Sequence, residues 1–156
     1  LGLDPSLSCT GWGVVRSEGS RLTHIANGQL PTDAKASIAQ RLAALQAGIA
    51  AVIAAHSPDR AACEEVFVNK NPQSTLKLAQ ARGAVLAACG AARLEVSEHA
   101  ARKVKQSVVG TGAADKAQVM AMIKVLLPGA PVAGADAAAA LAVAIADAHL
   151  SYSPLR

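Results

Sequence analysis

Apolar positions along this chain follow two rhythms. Short runs with extended character occupy the first thirty residues, and segments with apolar residues three and four apart fill most of the remainder. LGLDP (1–5) is an apolar run stopped by proline and predicts a strand ending at Asp4. GWGVVRSE (11–18) and RLTHIANGQL (21–30) read as strands joined by a Gly-Ser turn. Links this short make the three an antiparallel meander. Residues 35–56 carry Ile38, Leu42, Leu45, Ile49, Val52 and Ile53 at helical spacing, and the helix stops before Ser57-Pro58. RAACEEVFV (60–68) predicts a fourth strand, 72–89 a helix opened by Pro72, and ARLEVSE (92–98) a fifth strand. Helices follow over roughly 98–108, 115–127 and 135–149, joined by glycine-containing links. The expected fold class is α/β: a single domain over 1–156 with a mixed five-stranded sheet flanked by helices. Strands 1–3 are antiparallel in it. Strands 4 and 5 are parallel, through right-handed crossovers.

Composition narrows the setting. Apolar residues make up 52% of 156, much of that alanine, and the only aromatics are Trp12, Phe67 and Tyr152. Cys9, Cys63 and Cys89 form no CxxC pair. That argues against a zinc site or a disulfide framework and for a reducing, cytoplasmic setting. No signal peptide is visible, although the sequence begins at Leu1 rather than Met. The longest apolar run, 137–146, falls short of the roughly 20 residues that span a bilayer, so no membrane association is expected. Net charge is +4, and residues 68–124 hold most of the surplus lysine and arginine, as a phosphate-facing surface would.

The acids carry more information. GADAAAALAVAIADAHL (134–150) has Asp136 in its first turn and no other ionisable group until Asp147. A first-turn acid can be there only for the helix dipole. Asp4 ends the first strand, however, and Glu64 and Glu65 stand near the end of the fourth. If those strands are neighbours, Asp4, one glutamate and Asp136 form a cluster of three. Clustered carboxylates repel unless a cation compensates, and all-oxygen donors suit Mg²⁺ or Mn²⁺. Two such ions could activate water and hold a scissile phosphate. Glu64 and Glu65 point to opposite faces of a strand, so only one can join.

LGLDP, TGWGVV, CEEVFVNKNPQSTLKLAQARG, ARKVKQSVVGTGAADKAQV and GADAAAALAVAIADAH, in this order, resemble the RuvC family of Holliday junction resolvases over essentially the whole chain. EVFVNKN, LKLAQARG and VKQSVVG are the most specific stretches. The resemblance implies a ribonuclease H-like fold and a homodimer that nicks four-way DNA junctions symmetrically, leaving 5′-phosphate and 3′-hydroxyl ends. It implies Mg²⁺, with Mn²⁺ as substitute and up to two ions per subunit. It assigns catalytic and metal-ligating positions to Asp4, to Glu64 rather than Glu65, and to Asp136. The family pattern carries a further aspartate three residues on, in D-x-x-D, where this chain has Ala139. Residues i and i+3 share a helix face, which suits joint metal binding. Asp147 is roughly 16 Å further along the axis and cannot substitute. Ala139 therefore reads either as a deliberate substitution that lets a DNA complex survive or as divergence toward binding without efficient cleavage. The intact remaining motifs favour the first.

The same resemblance makes Phe67 an exposed wedge that stacks on an unpaired base, whereas phenylalanine more often completes a core. Lys70, beside Asn69 and Asn71, becomes a phosphate or base contact. Lys105 and Lys116 match lysines near the active site and backbone. Arg102 shares a helix face with Lys105, while Lys103 turns away. Asp115 is the expected N-cap of the helix carrying Lys116. The helix at 72–89, with Gly83 and few bulky side chains, either packs on its twin or covers the sheet. RuvA and RuvB are implied partners. Competing readings are another ribonuclease H-like nuclease, a catalytically impaired junction-DNA-binding protein, and a sugar-kinase relative. The last needs a second domain and a glycine-rich nucleotide loop, and the chain has neither.

Overall fold

The computed structural model describes residues 1–68 and 70–151. In chain order the elements are β1 (Gly2–Asp4), β2 (Cys9–Glu18), β3 (Arg21–Pro31), α1 (Ile38–His56), β4 (Ala61–Glu64), α2 (Pro72–Ala91), β5 (Val96–His99), α3 (Ala101–Val109), α4 (Lys116–Leu126) and α5 (Ala135–Ser151). The sheet order is β3-β2-β1-β4-β5. The β1–β2 and β2–β3 pairs are antiparallel; β1–β4 and β4–β5 are parallel. The expected mixed sheet is present, with its antiparallel part in β1–β3.

Helices cover both faces, and strand alternation decides what each face meets. Leu3, Ala61 and Cys63 pack with Ile49, Val52 and Val85 on the side of α1 and α2. Ala62 packs with Val104, Ile123, Leu141 and Ile145 on the side of α3, α4 and α5. The alanine content of α5 has a steric cause. A Cβ on Gly2 would lie 2.0 Å from the Ala140 carbonyl oxygen, and one on Gly11 would lie 1.9 Å from that of Asp136. The helix rests directly on the backbone of β1 and β2, so glycine below and alanine above are both required.

Several boundaries differ from those read in the sequence. The fourth strand ends at Glu64 rather than residue 68. Val66, Phe67 and Val68 suit a strand, but β1 has ended at Asp4, and the last β4–β5 pair is Glu64 with His99. Glu65 N–H still bonds the His99 carbonyl at 2.9 Å, but the ladder stops there and residues 66–68 lie outside any strand. Glu65 consequently lies outside the strand, and the opposite-face argument does not apply to it. The fifth strand begins at Val96 rather than residue 92. Arg93 adopts a left-handed conformation (φ 61°) and Leu94 N–H bonds the Cys89 carbonyl, so residues 92–94 finish α2. His99 belongs to β5, and α3 starts at Ala101 rather than 98. Ser37 caps α1, which begins at Ile38 rather than 35.

The 19-residue α1 is long and apolar enough to cross a bilayer by length and composition, which the apolar-run criterion overlooked. It lays Leu45, Ile49 and Val52 into the core.

Candidate active site

The strand ends bring Asp4 and Glu64 together. Leu3 pairs with Cys63 across β1 and β4, so the next residue of each strand stands at the same edge of the sheet. Gly2 faces α5, and by alternation so does Asp4; Ala62 packs with the α5 side, and so Glu64 projects that way too. The first turn of α5 lies over Gly11, the β2 partner of Asp4, and delivers Asp136 to the same place.

Electrostatics confirm the proximity. The Asp4 carboxyl is pushed up to about 6, chiefly by loss of water, then by the negative charges of Asp136 and Glu64, with Lys116 opposing. Desolvation raises Glu64 as well, although it is exposed at the rim, and Lys105 pulls it back. Burial raises the Cys9 thiol, and the nearby Asp136 carboxylate raises it further. Three carboxylates and two lysines predicted as site residues therefore share one electrostatic neighbourhood. Among the described residues, no group of three or more His, Cys, Asp or Glu side chains is gathered tightly enough to cage a metal ion. The donor chemistry nevertheless fits a hard divalent cation: Asp4 is mutually repelled by two other carboxylates at an open edge, and a cation would relieve that repulsion.

Ala139 is exposed, while Ala137, Ala138 and Ala140 around it are buried. It sits three residues beyond Asp136, on the outward face of α5 that looks away from the core. A carboxylate there would stand in solvent beside Asp136 at no packing cost.

The flanking residues sort themselves by exposure. Phe67 is 71% exposed, in the loop that follows Glu64. It shares with Asp4, Glu64, Leu78 and Arg82 the wall of a cleft of about 170 Å³. Lys116 is the first residue of α4, whose N-cap Asp115 forms a capping box with Gln118, both bonds at 2.8 Å. Lys105 is partly buried on α3. Arg102 and Lys103 are exposed there, and the Arg102 stem runs past Gly112 in the glycine link. Lys70 is exposed just before α2; its neighbour Asn69 lies outside the described residues. Asp147 is remote from the cluster. It is buried against Arg60 Nε (2.9 Å) and His99 Nε2 (2.8 Å).

A family model described as "Crossover junction endodeoxyribonuclease RuvC" matches residues 1–147. The chain belongs to the RuvC family. It is similar to the crossover junction endodeoxyribonuclease RuvC of Erythrobacter litoralis (strain HTCC2594), at 79% identity over 96% of this chain and 92% of that protein. The RuvC of Sphingopyxis alaskensis (strain DSM 13593 / LMG 18877 / RB2256) is 64% identical over 96% of each. Among solved structures, T. thermophilus RuvC in complex with Holliday junction substrate superposes with a TM-score of 0.90 at 27% identity, covering 97% of this chain and 93% of the other. The sheet order and helix placement described above are thus those of a RuvC fold, which is ribonuclease H-like.

Three polar residues of this RuvC neighbourhood escaped the sequence reading. Arg82 is buried in α2 and bonds Cys63 Sγ (3.3 Å) and the Glu98 carboxylate, tying the helix to the ends of β4 and β5. Its only sequence signal was a cation inside LKLAQARG. Cys9 lies close enough to Asp136 for that carboxylate to shift its thiol, and Gln29 reaches the first turn of α5. Neither stands out in a strand of ordinary composition.

Proposed function

We propose that this chain is a structure-selective endonuclease of the Holliday junction type, acting in recombination and DNA repair in the cytoplasm, with cleavage weakened by Ala139. The observation that carries this reading is Asp4, desolvated beside Asp136 and Glu64 at the strand ends, in a member of the RuvC family.

Asp4, Glu64 and Asp136 are the residues that would hold Mg²⁺, or Mn²⁺ in its place, at up to two ions per subunit. Bound there, such ions polarise a scissile phosphate and lower the pKa of the attacking water. The chain's own groups do the rest. Lys105 and Lys116 offset the carboxylate charge, so that an anionic backbone can approach a site that otherwise repels it. Lys70 and Arg102 extend the positive surface along the strand. Phe67, projecting into solvent at the lip of the cleft, stacks on a base unpaired near the crossover. Four-way junctions need two nicks, so a homodimer presents two such sites. The outer side of α2, where Leu76, Gly83 and Ala87 are exposed, is the face we assign to the twin subunit. RuvA and RuvB remain the proposed branch-migration partners.

A second reading, a junction-binding protein that cuts poorly, is favoured by one observation, the missing carboxylate at position 139. Titrating Mg²⁺ against a four-way junction and a linear duplex separates the two. The chain is expected to bind the junction selectively and hydrolyse it slowly, and Ala139→Asp to accelerate cleavage by about 10²-fold or more. Ala139→Asp that binds junctions yet stays inert would refute the nuclease assignment.

A further inference from the structure

We propose that Gln29 is a positioning residue: its amide oxygen, on β3, serves as the N-cap of α5 and sets where that helix delivers Asp136. The proposal rests on the metal-site reading above.

The first intrahelical bond of α5 runs from Ala138 N–H to the Gly134 carbonyl at 3.0 Å, so Gly134 occupies the N-cap position. Glycine has no side-chain oxygen to offer the free N–H groups of the first turn. Gln29 Oε1 accepts from Asp136 N–H at 3.1 Å and from Ala137 N–H at 3.4 Å instead. The helix is capped by the sheet. Glycine at 134 is the condition for this, because a Cβ there would lie 2.3 Å from Gln29 Oε1. Asn27, on the same side of β3, fixes the approach to the helix. Its Nδ2 donates to the Pro131 carbonyl at 2.7 Å, and its Oδ1 accepts from Ala133 N–H at 2.9 Å.

Register gives the arrangement its meaning. Asp4 pairs with Gly11, and Gly11 pairs with Gln29, so the three form one row across β1, β2 and β3. Asp136 sits over this row. Its carbonyl lies against Gly11 and its N–H is held by Gln29. One end of the row carries the Asp4 carboxylate and the other end the cap. The separation of Asp4 from Asp136 is therefore set by the sheet rather than by the helix's own first residue.

Mn²⁺ binding by the full chain, read by electron paramagnetic resonance, and metal-free Tm test this. Gln29→Met keeps length and removes the acceptor; it should weaken Mn²⁺ binding about tenfold, the scale of lost support behind metal ligands. Gln29→Ala with Gly134→Ser gives the helix its own cap. That pair should recover the Tm lost in Gln29→Ala without recovering Mn²⁺ affinity. Unchanged Mn²⁺ affinity in Gln29→Met, or affinity restored together with Tm in the double variant, would reduce Gln29 to an ordinary cap and overturn the proposal alone. A parent chain that takes up no Mn²⁺ would remove the metal reading and this proposal with it.

Discussion

The Asp4 carboxyl is pushed up to about 6 because β1 carries it to a place largely shut off from water, where the negative charges of Asp136 and Glu64 add to the effect. A native carboxyl that binds its proton more tightly than the unfolded chain does makes stability fall as pH rises between the two pKa values. Here that window runs from about 4, the unfolded value, to about 6. In the absence of metal, the contribution of Asp4 is fully present below this window and lost above it. Asp4→Asn should accordingly raise the metal-free Tm at pH 7 by about 4–8 °C, an effect on the order of 2 kcal/mol. It should also flatten the pH dependence of Tm between 4 and 6, which calorimetry at several pH values would show. Phe67 makes the opposite kind of prediction. Being 71% exposed, it contributes little to folding. Phe67→Ala should leave Tm within about 2 °C while weakening junction binding roughly 5- to 100-fold, the worth of one stacked base, as measured by fluorescence anisotropy.

Among the elements, α5 shows what a sequence tells and what it withholds. Its helical character was legible from alanine content, and Asp136 from the motif around it. That its alanines answer glycines at 2 and 11 was not, because the match joins β1, β2 and α5 across more than a hundred residues. Strand β4 was misjudged for a similar reason: EVFV has strand propensity, and only the ends of β1 and β5 decide that the ladder goes no further than the Glu65 N–H. The Gln29 cap was invisible because a glutamine in a strand carries no local mark of a helix lying above it. Asp147 did carry a mark, being the one acid of this apolar helix beyond its first turn, and it proves to be the buried partner of Arg60 and His99. Asp147→Ala would leave both partners without their carboxylate; with Arg60 half-exposed and still bonded to Ser97, it should cost about 1–3 kcal/mol. Equilibrium urea unfolding would register this as a lower midpoint with an unchanged slope.

At the scale of the whole molecule, surface charge and site geometry point the same way. Residues 68–124 carry an excess of lysine and arginine, and two of them, Lys105 and Lys116, act on the carboxylates of the acidic cluster. Removing either lysine should weaken junction and duplex binding alike. Each should reduce the slope of log affinity against log salt by about one, since each contact releases one counterion. Selectivity for the branched substrate should survive, because in the proposed homodimer it would come from the pair of sites rather than from any single phosphate contact. The position of the cation is the most direct test of the account. A crystal of the chain soaked in Mn²⁺, with anomalous data collected, should show manganese bounded by Asp4, Glu64 and Asp136. Anomalous peaks confined to other places on the surface, with these three carboxylates bare, would contradict it.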